Sequence, residues 1–218
     1  MAASLMSALP GSVAQGLIWG ILAIGVYITY KVLDFADLTV DGSLATGGAV
    51  AVMCMINGMH PYLALFLAFC AGMLAGLVTG LFHTALGIPP ILSGILTQLG
   101  LYSINMRIMG KANQAISVVQ YDLIVSLRYI PHACLVTIGF CVVIIGLLYW
   151  FFGTEIGAGV RATGCNPNMA RAQGVNTNAY KVLGLVLSNG LVGLSGALYA
   201  QYQGSSDINM GRGAIVIG

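Results

Sequence analysis

Charge is what this sequence most lacks. Its 218 residues include eight Lys or Arg and six Asp or Glu, 6% of the chain, against roughly 25% in an ordinary soluble domain. A water-soluble globule covers itself with polar groups, and so few charges cannot do that for a 22.6 kDa chain. The shortage excludes a cytosolic enzyme, a disordered chain and a nucleic-acid binder, which needs clustered cations. Net charge is +2, and the basic residues are scattered, so no polybasic patch for anionic lipid exists. Residues 42–106, a run of 65, contain no Asp, Glu, Lys or Arg at all. One bilayer crossing takes about 20 residues, so this run crosses more than once.

Other absences narrow the chemistry. The five Cys are odd in number and form no C-x-x-C, so neither a disulfide framework nor a zinc site is indicated. Four lie in apolar stretches and read as small lipophilic side chains. Cys165 lies in a polar loop and is the reactive candidate. There is no G-x-x-x-x-G-K-[ST], no H-E-x-x-H and no paired-carboxylate constellation. No catalytic residue, cofactor site or metal site is therefore expected, and the chain does not read as an enzyme. Gly157-Ala-Gly159-Val-Arg-Ala162 fits G-x-G-x-x-A, but it follows no strand and no acid lies about 20 residues on, so a dinucleotide site is not expected. His60, His83 and His132 fall at span ends and read as interfacial residues. No Lys or Arg precedes the first apolar stretch, so that stretch reads as a retained span rather than a cleaved signal peptide.

What is present is apolar surface and glycine. Hydrophobic residues make up 58%, mean hydropathy is +0.93, and 30 residues are Gly. Six apolar segments of 18 to 23 residues stand out, at about 11–30, 42–59, 61–83, 88–106, 133–152 and 182–203. Helices are the open-chain way to span lipid with every backbone group satisfied, and the runs are too long and continuous for barrel strands. The fold class expected is all-α: a polytopic helical membrane protein with at least six transmembrane helices, in a single domain over 1–218. Residues 213–218 are apolar and too short to cross. They read as the start of a seventh span, which suggests a chain truncated at its C-terminus.

The spans carry small-residue stripes. Ala64, Ala68, Gly72, Gly76, Gly80 and Thr84 are four apart and share one helical face. Asn189, Gly193 and Ala197, then Gly196, Ala200 and Gly204, make a second set, and Gly16-x-x-x-Gly20 a third. Small side chains let backbones approach, and close packing is the main attraction between helices in lipid. Gly72, Gly76, Gly80, Gly193 and Gly196 are the packing candidates. Two segments look broken: Asp34, Asp37 and Asp41 lead into Gly42 with Gly47-Gly48 beyond, and Gly87-Ile88-Pro89-Pro90 opens the fourth span. For the prolines, a helix start is the preferred reading. Asp37 and Asp41 read as acids complementing a helix dipole, with an ion or proton relay as the alternative. Asn57, Gln98, Asn105, Asn189 and Gln201 could line a pathway or tie helices together.

The longest informative connection is about 153–181. Asn166 suits an N-cap and Pro167 the first helical position. Gly174 suits a left-handed C′ position. Thr177 or Asn178 then caps a helix that continues into the last span. The expected product is a stubby helix outside the membrane, suited to a cleft on a soluble partner.

Here the residues become specific. Gly157, Arg161, Ala162, Asn166, Pro167, Ala170, Gly174, Val175 and Asn176, then Gly193, Leu194, Gly196 and Leu198, follow a pattern that resembles the coupling loop of bacterial ABC importer permeases. The subgroup is the branched-chain amino-acid permease family, which also covers ribose-type permeases. Residues 32–50 resemble that family's early segment, N-F-A-x-G-x-x-x-x-G-A, with DLTVDGS inserted, a variant similar to permeases grouped with amino-acid uptake systems, those for aromatic amino acids among them. The resemblance extends over about 16–213 and implies an importer's membrane subunit carrying a small solute, most naturally an amino acid. It implies a cytoplasmic loop docking on a separate ABC ATPase subunit, an extracytoplasmic solute-binding protein, a second permease copy as a homodimer, and a multi-pass place in the bacterial inner membrane. Arg161, Ala162, Asn166, Pro167, Met169, Ala170, Arg171 and Gly174 are the implied coupling residues. Met169 and Ala170 would contact the ATPase groove, and Arg161 and Arg171 would donate to it. With that loop inside, Lys31, Arg161, Arg171 and Lys181 fall inside and Arg107, Lys111, Arg128 and Arg212 outside, a balance with no positive-inside bias. The competing class is a gradient-driven secondary transporter or channel, which would need intramembrane ionisable groups.

Overall fold

The computed structural model describes residues 2–116, 124–125 and 130–217. Arg128 and the side chain of His132 lie outside that description. In chain order come α1 (Ala2–Tyr27), a π-helical turn (Ile28–Val32), α2 (Thr39–Ile56), α3 (Pro61–Thr84), α4 (Pro90–Met109), β1 (Asn113–Ala115), α5 (Ile130–Gly153), α6 (Glu155–Cys165), α7 (Pro167–Ala172), α8 (Thr177–Gln203), β2 (Ser205–Asp207) and α9 (Ala214–Ile217). All six expected spans are helices. Five of them are long and apolar enough to cross a membrane: Leu9–Val32, Thr39–Ile56, Pro61–Thr84, Ala133–Gly153 and Thr177–Gln203. The remaining one, α4, has 20 residues, about 30 Å of helix, but is diluted by Ser93, Gln98, Ser103, Asn105 and Arg107.

Local chemistry sets the helix ends. Pro61 and Pro90 open α3 and α4 at the first helical positions, where a missing N–H is harmless. Gly110 at φ 65° and Gly204 at φ 70° close α4 and α8 in the left-handed region.

The bundle is organised around α8 and α2. Of their apolar windows, 67% and 72% of residues are buried, against 11% for α5. α8 passes between α2 and α3 with backbones nearly touching. A Cβ on Gly72 would strike the Asn189 carbonyl, one on Gly76 the Leu185 carbonyl, and one on Gly196 the Leu44 carbonyl. A Cβ on Gly193 would lie 2.8 Å from the Ala68 oxygen, and one on Gly80 3.1 Å from the Val182 Cα. α2 is not broken at Gly47-Gly48, as its sequence suggests. It runs unbroken, and the two glycines admit the Gly193 carbonyl and the Met210 side chain. Gly16 and Gly20 differ in the other direction: nothing lies within 4 Å of a Cβ at either, so this G-x-x-x-G packs against no described part of the chain.

α1 is fastened to α8 by a repeat that sequence reading missed. Ser188, Ser195 and Tyr202 donate to the Gly25, Ile18 and Gly11 carbonyls at 2.6, 2.8 and 2.9 Å. Donors and acceptors are each seven residues apart, so one antiparallel seam receives a hydroxyl every two turns.

These contacts fix two ends. The α1 start, the α8 end and the antiparallel β1–β2 pair, with Gln114 opposite Ser206, lie at one end. Lys31, Arg161, Arg171 and Lys181 gather near α6 and α7 at the other. Large apolar side chains of α5 point outward, with Leu135, Val142 and Leu147 at least 60% exposed, as lipid-facing residues must be. Tyr27, Tyr30, Tyr149 and Trp150 are exposed towards the α6–α7 end and Tyr62 at the other, a distribution suited to membrane interfaces.

Candidate functional site

Two constructions stand out: a polar knot inside the bundle and a capped stub outside it. The knot starts where α1 ends. The π turn bonds Leu33 N–H to the Ile28 carbonyl, and Asp34 takes a left-handed φ of 51°. The chain thereby reverses and starts α2 beside the middle of α8. Asp37 is buried there. One carboxylate oxygen accepts from the Thr39 N–H at 2.9 Å, capping α2, and the other accepts from the Asn189 amide at 2.7 Å. The Asn189 oxygen accepts from the Ser43 hydroxyl. Hydroxyls of Thr39, Thr79 and Thr97 form a chain at 2.7 and 2.9 Å that joins α2, α3 and α4.

Asp37 is thus more than an acid at a helix start. It is bonded across the bundle, a pairing of residues 152 apart in sequence that no local pattern announces. Asn189 lies eight residues beyond Lys181, about 12 Å along the helix. Of the other polar candidates, Asn57 caps the end of α2. Gln98 and Asn105 line a cavity. Gln201 is fully buried, and neither amide atom meets a hydrogen-bond partner among the described residues.

The stub is built from three caps. Thr154 caps α6, accepting from Gly157 N–H at 3.4 Å. α6 is a finding in itself, since the sequence reads as loop there. The glycines of its G-x-G pattern serve packing. A Cβ on Gly157 would strike the Phe151 carbonyl and one on Gly159 would sit 2.6 Å from the Tyr180 ring; beyond the pattern, one on Gly164 would strike the Val32 carbonyl. Asn166 caps α7, accepting from Met169 N–H at 3.0 Å, with Pro167 behind it. Gly174, at φ 83°, closes α7: Val175 N–H donates to Ala170 and Gly174 N–H to Arg171, at 3.0 and 2.9 Å. The cap of α8 is Asn176, accepting from Ala179 N–H at 3.3 Å, rather than Thr177 or Asn178, whose side-chain oxygens accept from Arg171.

The two arginines expected to donate to a partner also bond within the chain. Arg171 donates from Nε to Thr177 at 2.8 Å and from Nη2 to Asn178 at 3.2 Å, and Arg161 donates to the Phe152 carbonyl at 2.9 Å. Both guanidiniums brace the stub against its own chain. Ala170 is buried at 6% exposure and faces inward, whereas Met169 is 63% exposed. Ala162, Asn166, Pro167 and Gly174 are also exposed. The braced end is locked further at Lys181, whose ammonium lies 3.3 Å from His83 Nε2, while His83 Nδ1 lies 2.9 Å from the Ile88 carbonyl. The carbonyl can only accept, so Nδ1 carries the ring proton and Nε2 accepts from Lys181.

A bundle of long apolar helices with a polar interior and a projecting capped stub defines a multi-pass helical membrane protein. Over residues 9–218 the chain matches the model of the family described as branched-chain amino acid transport system, permease component. It is 41% identical to the tyrosine transport system permease protein of Clostridioides difficile, over 98% of this chain and 71% of that protein. It is 34% identical to an uncharacterized protein of Rickettsia prowazekii, over 98% of this chain and 75% of that one. A probable branched-chain amino acid transport permease protein of Methanocaldococcus jannaschii is 28% identical, over 87% of this chain and 64% of that protein. No solved structure gives a significant match. The chain belongs to the branched-chain amino acid permease family of transport-system components.

Proposed function

We propose that this chain is the single-domain membrane subunit of an ATP-driven importer for amino acids, aromatic ones such as tyrosine or branched-chain ones, in a bacterial inner membrane. An ABC ATPase docks on α6 and α7 in the cytoplasm, a solute-binding protein delivers from the opposite face, and two copies of the chain form the pathway. The family and the relatives' names support the substrate class. The observation that carries the coupling is the rigid link between stub and core. α7 presents Met169 outward, is closed by Gly174 and braced by Arg171 to the first turn of α8, and α8 then runs 27 residues through the bundle centre. A push on α7 moves α8 as a lever, which is rigid-body coupling between two states.

The test is ATPase copurification together with ATP-dependent uptake of labelled L-tyrosine and L-leucine. Gly174→Val places a β-branched residue at φ 83°, where it is strained, and Met169→Glu puts a charge on the exposed tip. Both variants should reach the membrane, lose the copurifying ATPase and lose at least tenfold in uptake. Retained ATPase and uptake in both would remove the stub from the mechanism.

A further inference from the structure

α1 and α5 run side by side in the same direction. The Cys141 thiol meets the Leu17 carbonyl at 3.7 Å. Ile24 and Leu148 follow two turns further along each helix, and Ile28 and Phe152 one turn beyond those. There the two elements border a groove of about 550 Å³, with those four apolar side chains in its wall. Tyr27, Ile145 and Tyr149, all exposed, form its rims, so the groove opens onto the outside of the bundle. Leu9–Val32 and Ala133–Gly153 are both spans. The groove therefore occupies their last turns, at the α6–α7 end.

One cation stands at its mouth. Arg161 lines the groove from α6, and its Nη2 donates to the Phe152 carbonyl at 2.9 Å. That bond aims the guanidinium at the end of α5 and uses one of its five N–H groups. Among the described residues no Asp or Glu lines the groove. Within a bilayer such a groove does not stay empty, because a void forfeits the dispersion contacts of its walls. A hydrocarbon chain fills it, and the charge at the mouth decides which lipid brings that chain. A guanidinium without a carboxylate beside it matches a headgroup whose one charge is its phosphate. An ethanolamine or choline headgroup adds a cation that no acid in the groove receives and that Arg161 repels.

We propose that the α1–α5 groove is a site for one anionic phospholipid of the phosphatidylglycerol kind. An acyl chain lies along Ile24, Ile28 and Leu148, and the phosphate pairs with the planar fork of Arg161. Tyr27 and Tyr149 stand where aromatic side chains meet headgroups. Basic pockets between spans hold anionic headgroups by the same chemistry. Because the same guanidinium ties α6 to the end of α5, the bound lipid joins the membrane surface to the root of the stub. The site stands on the bundle lying in a bilayer, and it is independent of which solute the chain carries.

Native mass spectrometry of the chain with its copurifying subunits, released from neutral detergent, reads bound lipid directly. The probes are dioleoyl phosphatidylglycerol and dioleoyl phosphatidylethanolamine. The wild type should retain phosphatidylglycerol about tenfold better, the worth of one charge-assisted contact. Arg161→Gln should erase that preference, and Arg161→Lys should restore part of it. Ile145→Trp fills the groove and leaves Arg161 and its bond to Phe152 in place. It should release phosphatidylglycerol as well. Lys111→Gln removes an exposed cation at the opposite end and should change nothing. Glycerol 3-phosphate, which has the phosphate without the chains, should not displace the lipid. Equal retention of both lipids by the wild type, retention unchanged in Ile145→Trp, or an equal loss in Lys111→Gln would overturn the site. So would displacement by glycerol 3-phosphate. A pair of chains that Ile145→Trp splits, with no lipid held by the wild type, would give the groove to a second copy and overturn it too.

Discussion

At the scale of single residues, Asp37 shows how a membrane interior tolerates an acid. Its oxygens are met by the Thr39 N–H and the Asn189 amide. Hydrogen bonds to a charged group are worth about 1.5–3 kcal/mol, and an ionised group without them is expensive in lipid. These bonds make Asp37 a structural tie rather than a free proton carrier. Asn189→Ala should therefore lower the thermal midpoint of the purified protein by an amount equivalent to about 1.5–3 kcal/mol. Asp37→Asn in the same background should add less than it does alone, because the two sites act as one. Strict additivity in that cycle would show that the contact contributes nothing.

At the scale of elements, the packing of α8 against α2 and α3 separates glycines that matter from glycines that do not. Sequence spacing treats Gly72-x-x-x-Gly76 and Gly16-x-x-x-Gly20 as equals. The fold does not: a Cβ on Gly72 or Gly76 meets an α8 carbonyl, and one on Gly16 or Gly20 meets nothing. Gly76→Ala should destabilise by about 1–3 kcal/mol, the usual cost of overpacking. Gly16→Ala and Gly20→Ala should be neutral, or slightly stabilising through helix propensity. Thermal unfolding in one detergent compares all three, and an equal loss at Gly16 would place a partner helix on that face of α1.

At the scale of the whole molecule, the alternation of spans gathers Lys31, Arg161, Arg171 and Lys181 at the stub. Charge counting alone gives no direction, and the assignment of the stub to the cytoplasm predicts one. Cys165 is exposed at the end of α6, whereas the other four cysteines are partly buried. A membrane-impermeant maleimide should label Cys165 in inverted vesicles and not in intact spheroplasts. Labelling in spheroplasts would turn the molecule over and, with it, the docking of an ATPase.

The sequence by itself determined the class of the protein. Missing charge and six long apolar runs leave a helical bundle in lipid as the solution, because backbone polar groups must be satisfied within each span. It also determined the short capped helix at α7, since Asn166, Pro167 and Gly174 act through bonds within a few residues. Tertiary structure alone decided three things. It made α6 a helix where loop was expected, by packing Gly159 and Gly164 against Tyr180 and Val32. It turned Arg171 into a brace, and it brought Asp37 to Asn189 and Asp41 to Gly213. The last two pairings join residues far apart in the chain. Their energies arise only when particular helices cross at particular heights, and a spacing rule confined to one segment cannot encode which helix will lie alongside.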